Sequence, residues 1–172
     1  VVDEAYAEFS NEKSAITLIA KYPNVLVSRT MSKAFAFAGV RLGYLAANKI
    51  VVDALQLVRL PYHLSAITQA AAEVALEFQD ELLAEVSKLA ADRDQMAKAL
   101  AELGLKVIPS EANFILFGGF KQSSHELWEK LLAEGVLIRD VGLAGYLRVT
   151  IGNEAENDLF LKALQKALKG AL

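Results

Sequence analysis

The residues best suited to chemistry lie between Ser28 and Tyr44. There Lys33 sits in a run of small and apolar side chains, Met31-Ser32-Lys33-Ala34-Phe35-Ala36-Phe37-Ala38-Gly39, with Arg29 and Arg41 on either side. Desolvation and neighbouring positive charge both disfavour an ammonium, so such a lysine has a reason to lose its proton. An unprotonated lysine forms an imine with an aldehyde. The hydroxyls of Thr30 and Ser32 and the guanidinium of Arg41 are the kind of donors a phosphate dianion needs, Arg serving bidentately. Amine, hydroxyls and guanidinium together make a seat for a phosphorylated aldehyde. A plainer reading competes: a Ser-Lys pair in a loop is common. Thr30-x-x-Lys33 also has the spacing of a nucleophile–lysine pair for acyl transfer, but no oxyanion-hole glycine loop accompanies it.

The chain of 172 residues is long enough for one ordinary domain or two small ones. Its net charge of -3, from 18 basic and 21 acidic residues mixed along the sequence, offers no basic face, so nucleic acid is not an expected partner. With no cysteine, neither a disulfide framework nor a thiolate metal site can form, and an intracellular setting is expected. Only His63 and His125 remain as imidazole ligands, so no metal is expected either. Polar residues interrupt every apolar stretch before the roughly 18 residues that cross a bilayer, and no membrane partner is expected. The opening Val1-Val2-Asp3, without initiator Met or signal-peptide pattern, reads as the end of a buried strand, and a fragment is the expectation.

The elements that must position the lysine follow from periodicity. Residues 25–27 and 42–46 are short apolar runs that suit strands covered on both faces, with the Lys33 loop between them. After Pro61 the pattern turns helical over residues 65–78 and then 81–103, where Leu82, Val86, Leu89, Arg93, Met96 and Leu100 form one stripe. Arg93 interrupts that stripe and reads as a snorkelling edge residue. Gly104 stops the helix. Strands over 106–108 and 113–117 precede a helix that opens at Ser123 with Glu126 three residues on, the spacing of a capping box. Leu127, Trp128, Leu131 and Leu132 are its expected buried stripe. Strands over 136–139 and 146–151 lead to a last helix from about Asn153, burying Leu159, Phe160, Ala163, Leu164, Ala167 and Leu168. The second half is thus an α+β unit, with a boundary near residue 80.

The run "RTMSKAFAFAGVRLGY", Arg29 to Tyr44, resembles the lysine signature of fold-type I aminotransferases that use pyridoxal 5'-phosphate (PLP), in the form of the histidinol-phosphate branch. Met31-Ser32-Lys33 lacks the preceding lysine of the tRNA-synthetase element it also resembles. The resemblance implies that Lys33 holds the cofactor covalently, that Arg41 contacts its phosphate, and that the hydroxyls of Thr30 and Ser32 assist. Upstream, Asp3-Glu4-Ala5-Tyr6 is similar to the family's "DEAY" element, which implies that Asp3 pairs with the pyridine nitrogen and Tyr6 with the phenolic oxygen. Glu4 then faces away, and Arg29 is read as half of a structural ion pair. Downstream, Tyr146 to Gly152 resembles the strand whose arginine, here Arg148, binds the substrate's anionic tail, and "GVLIRD" adds Arg139. Two arginines suit one dianion.

The fold implied is α/β: residues 1–79 the C-terminal part of a PLP-binding large domain, mostly parallel sheet with helices, and 80–172 a small C-terminal α+β domain. The activity implied is transamination between histidinol phosphate and 2-oxoglutarate, giving imidazole-acetol phosphate and glutamate, in histidine biosynthesis, by a cytoplasmic homodimer. The loop around His63 would lie near the subunit interface. Aromatic amino acid transamination on the same fold is the near alternative, and a folded but inactive remnant is the non-enzymatic one.

Overall fold

A computed structural model of the chain describes residues 1–169. It is an α/β structure that divides into two compact units, Val1–Ser87 and the residues from Lys88 onward.

The first unit is built on three strands in the order β1-β2-β3, with β1 at Val2–Asp3, β2 at Leu26–Thr30 and β3 at Gly43–Ala47. β1 runs parallel to β2, with Asp3 opposite Ser28; β2 and β3 are antiparallel, with Arg29 opposite Tyr44 and Thr30 opposite Gly43. Two differences from expectation stand out. The sheet is mixed rather than mostly parallel, and its strands are not covered on both faces: Val27 is fully buried but Tyr44 is 51% exposed. A helix that periodicity did not announce, α1 at Lys49–Val58, follows β3. Its Ile-Val-Val-Asp-Ala-Leu-Gln-Leu-Val sequence reads as strand by composition. Asn48 nonetheless caps it by accepting from the Ile50 amide, and Lys49 pairs with Asp53 one turn on. α2 at Ala66–Glu77 begins where expected, with the Ser65 hydroxyl accepting from the Thr68 amide. Its Ala72 and Ala75 pack on Met31, with Phe35, Phe37 and Leu42 around them, so the helix braces the Lys33 loop from beneath.

α3, Gln79–Glu102, runs through the division between the units. It ends in a Schellman arrangement: Gly104, at φ +78°, donates to the Ala101 carbonyl and Leu105 to Leu100. The second unit has four antiparallel strands in the order β4-β5-β7-β6: β4 Lys106–Ile108, β5 Phe114–Gly118, β6 Arg139–Asp140 and β7 Tyr146–Thr150. α4, Ser124–Ala133, and α5, Glu154–Lys169, complete it. Alternation along β5 and β7 sends Ile115, Phe117, Leu147 and Val149 into a core shared with Met96, Leu100, Leu127, Leu131, Phe160 and Leu164. The capping box at Ser123 and Glu126 forms as read from the sequence.

Three expectations fail on geometry. Leu132 on α4 and Leu159 on α5 are 45% and 49% exposed, since each lies about 100° around its helix from an adjacent buried residue, Leu131 and Phe160 respectively. Arg93 is not an edge residue: it is buried, pairs with Asp94 and donates to the Ala112 carbonyl. The strand expected over 136–139 is paired only from Arg139, in the two residues of β6, and the Ile138 carbonyl just before it accepts from the Trp128 indole.

Candidate active site

The site is supported from β1 and β2. Asp3 ends the short first strand, and its Oδ1 accepts from the Ala5 amide at 3.0 Å and the Ser28 hydroxyl at 3.3 Å. These bonds turn the chain sharply, leaving Oδ2 uncommitted to the backbone. Tyr6 follows at the start of a single 3₁₀ turn, packed on Phe9 with ring centroids 6.4 Å apart.

Beneath this turn lies a charged cluster that fixes it to β2. Arg29 donates through Nε and Nη2 to Glu4 Oε2, at 3.0 and 2.7 Å, through Nη2 to the Ser14 hydroxyl at 3.0 Å and through Nη1 to Glu8 at 3.4 Å. Glu4 also accepts from the Ser14 hydroxyl and the Ala15 amide. Burial raises the Glu4 carboxyl, but the Ala15 amide, the Arg29 guanidinium and the Ser14 hydroxyl outweigh it and hold it below its ordinary value. On Arg29, burial works against the charge and is overcome by Glu4, Tyr44 and Glu8, which raise it further. Arg29 is a structural ion pair, and Glu4 faces it.

The Lys33 loop is held by consecutive turns. Met31 donates to Leu42, Phe37 to Met31, Ala36 to Lys33 and Val40 to Phe37. Ala36 and Arg41 both sit in the left-handed region, at φ 55° and 58°, conformations that cost a non-glycine residue on the order of 1 kcal/mol each. Gly43 then lets β3 approach β2: a Cβ there would lie 2.7 Å from the Arg29 carbonyl oxygen.

The structure brings Lys33 to Tyr6, with Nζ 5.7 Å from the ring centroid. Three further observations qualify the sequence argument. Lys33 is exposed, and Arg29 is paired with Glu4 and Glu8. The Thr30 hydroxyl is spent locally, donating to the Leu42 carbonyl at 3.3 Å and accepting from the Ser32 amide. Arg41 gives one Nη1 hydrogen to the Ala38 carbonyl, leaving its other donors outward.

In the second unit Arg139 and Arg148 are direct cross-strand partners. Residues so paired share one face of the sheet, about 5 Å apart at Cβ, and like charges there are unfavourable unless an anion bridges them. The Arg148 guanidinium lies 4.7 Å over the Phe114 ring, and its buried Nε has no partner among the described residues. Both arginines line a cavity of about 470 Å³ with Trp128, Leu137, Ile138, Asp140 and Thr150. His63 belongs to the short segment after α1, and His125 is exposed on the first turn of α4. Sequence reasoning missed Ser28, Ser14 and Glu8. Only strand register and the 3₁₀ turn reveal them, and neither leaves a motif.

The first unit thus sets an amine beside a phenol with a carboxylate on the same turn, and the second unit, taken by itself, holds a paired-arginine pocket. Residues 1–164 match the family of class I and II aminotransferases, and the chain belongs to that family. It is 63% identical over 163 residues to the histidinol-phosphate aminotransferase of Nocardia farcinica, covering 94% of this chain and 42% of that protein. Among solved structures it is similar to histidinol-phosphate aminotransferase from Sinorhizobium meliloti in complex with pyridoxal-5'-phosphate: TM-score 0.86, 31% identity, 99% of this chain and 48% of that one. It is also similar to L-threonine-O-3-phosphate decarboxylase from Porphyromonas gingivalis: TM-score 0.86, 30% identity, 97% and 54%. The chain spans under half the length of the curated relatives it matches. No described helix is long and apolar enough to cross a membrane.

Proposed function

We propose that this chain supplies the cofactor-holding lysine and the substrate-tail arginines of a PLP-dependent transaminase that interconverts histidinol phosphate and imidazole-acetol phosphate with 2-oxoglutarate and glutamate. The observation that carries this reading is the placement of Lys33 Nζ over the Tyr6 ring, with Asp3 on the same hydrogen-bonded turn. The donor set fits PLP. Lys33 would hold the aldehyde carbon, Asp3 would pair with the ring nitrogen and Tyr6 with the phenolic oxygen. Arg41 and Ser32 would hold the phosphate. Thr30 contributes by fixing the Ser32 amide rather than by donating a proton of its own. When bound, PLP supplies the electron sink for loss of the substrate's α-proton, and a carboxylate at its ring nitrogen sustains that sink. Lys33 Nζ would be the group that accepts and returns the proton of the substrate's α-carbon.

The opposed Arg139 and Arg148 favour a dianionic tail over the aromatic side chain of an aromatic amino acid, because an uncharged ring would leave both guanidiniums facing each other. The two structural neighbours quoted above carry a phosphate monoester in the names of their substrates, which agrees with this. The reading includes a PLP-binding large-domain portion and a small α+β domain, supported by the compact division within α3. It also includes a cytoplasmic homodimer; the row of exposed Ile50, Leu57 and Val58 on α1 supports a covered face there. The test is incubation with PLP, reduction with borohydride and peptide mapping by mass spectrometry. A pyridoxyl group concentrated on Lys33 is expected; label scattered over surface lysines with Lys33 unmodified would overturn the reading.

A further inference from the structure

We infer that Trp128 is a positioning residue for the substrate-tail pocket: it sets where Arg139 stands relative to Arg148. The inference rests on the reading that this arginine pair takes a dianion. Sequence periodicity assigns Trp128 only to the buried stripe of α4, yet it does something the leucines of that stripe do not. Its Nε1 donates to the Ile138 carbonyl at 2.9 Å, immediately before Arg139, and its ring walls the same cavity as the two arginines.

The consequence follows from strand register. β6 and β7 pair only at Arg139–Arg148 and Asp140–Leu147. Continued by two residues, the ladder would draw Leu137 and Ile138 flat against Val149 and Thr150. It would then present a regular four-residue strand instead of a cavity. Arg148 and Arg139 turn their own N–H and C=O toward each other, so the Ile138 carbonyl points away from β7, and the indole ties it to α4 immediately before Arg139. A second cavity of about 360 Å³ opens along Leu137, Ile138, Val149 and Thr150, where the paired strands would otherwise close. The indole is itself held in orientation: the His125 ring stacks on it, with centroids 5.8 Å apart and planes 12° from parallel. Buried Trp uses its one polar atom when a partner is within reach, and here that atom is spent on the backbone next to a binding residue. Trp128 thereby holds two like charges in the opposed arrangement that an isolated strand pair would relax.

The test is titration of inorganic phosphate into the intact chain. Binding is read from the NMR cross-peaks of the Arg139 and Arg148 Nε–H groups, for the wild type, Trp128→Phe, Arg139→Ala and the double variant. Phe fills most of the ring's space and removes the donor. One neutral hydrogen bond corresponds to about three- to tenfold in affinity, so Trp128→Phe is expected to weaken phosphate binding about three- to tenfold with little change in melting temperature. Because the effect runs through Arg139, Trp128→Phe is expected to cost nothing further in the Arg139→Ala background. Equal weakening in both backgrounds would show a general structural role and overturn the inference. Unchanged binding in Trp128→Phe, with Arg139→Ala weakened, would overturn it while leaving the arginine pocket standing. Unchanged binding in Arg139→Ala would remove the pocket reading and this inference with it.

Discussion

Replacing Arg29 by Met removes a cation that holds two carboxylates, one hydroxyl and a strand together. The side chain is 18% exposed and those of Glu4 and Glu8 are each 11% exposed, so the cluster lies between a surface pair and a fully buried one. Surface pairs are worth about 0–1 kcal/mol and breaking buried ones costs about 3–5, which places this substitution at about 2–3 kcal/mol. Met keeps the aliphatic stem, so the loss is one of charge and hydrogen bonding. The pH dependence is the sharper part. Glu4 has a folded pKa below its ordinary 4.5, so its contribution is complete above that value and is lost as pH falls through the folded pKa. Without Arg29 its hydrogen bonds and charge are lost while the Ala15 amide and the Ser14 hydroxyl remain, so the lowering of Glu4 shrinks. Acidification from pH 7 to 4 therefore destabilises the wild type more than the variant, and the gap between them narrows. Urea melts at pH 7, 5 and 4 measure this. A loss under about 0.5 kcal/mol at pH 7, or a gap that widens toward acid, would refute the reasoning.

Lys33→Ala removes an exposed side chain, so stability should stay within about 0.5 kcal/mol while borohydride-trapped PLP labelling at that position disappears; differential scanning and mass mapping report the two separately. Gly43→Ala drives a methyl against the Arg29 carbonyl oxygen and should cost about 1–3 kcal/mol in urea melts, with weaker PLP uptake because β2 must shift. Phe117→Ala empties a fully buried site against Phe160, 5.9 Å away, and should cost about 3–5 kcal/mol. Arg148→Met removes a guanidinium whose buried Nε lacks a partner among the described residues; phosphate binding should vanish while the melting temperature holds or rises.

The parts of this structure that could be read from the sequence are those whose physics is local. The capping box at Ser123, the glycine stop at 104 and the stripe on α3 each declare themselves within about seven residues, and all three form. α1 escaped because its composition favours strand, and what makes it helical is a cap and an ion pair on an exposed face. The site divides along the same line. Lys33, Arg41, Asp3 and Tyr6 stand out as a spaced set of residue types, but what holds them does not. Ser28 becomes a partner of Asp3 only through parallel register, and Ser14 reaches Glu4 only through a turn ten residues downstream. The packing of the loop around Lys33 is hidden for the same reason. Met31, Ala34, Phe35 and Phe37 are adjacent in sequence, yet Met31, Phe35 and Phe37 turn toward α2 and anchor the loop there, while Lys33 is exposed. The lysine's environment must then come from what binds over it. A phosphorylated aldehyde ring laid between Lys33, Tyr6 and Asp3 would supply the cover that the protein's own apolar residues withhold.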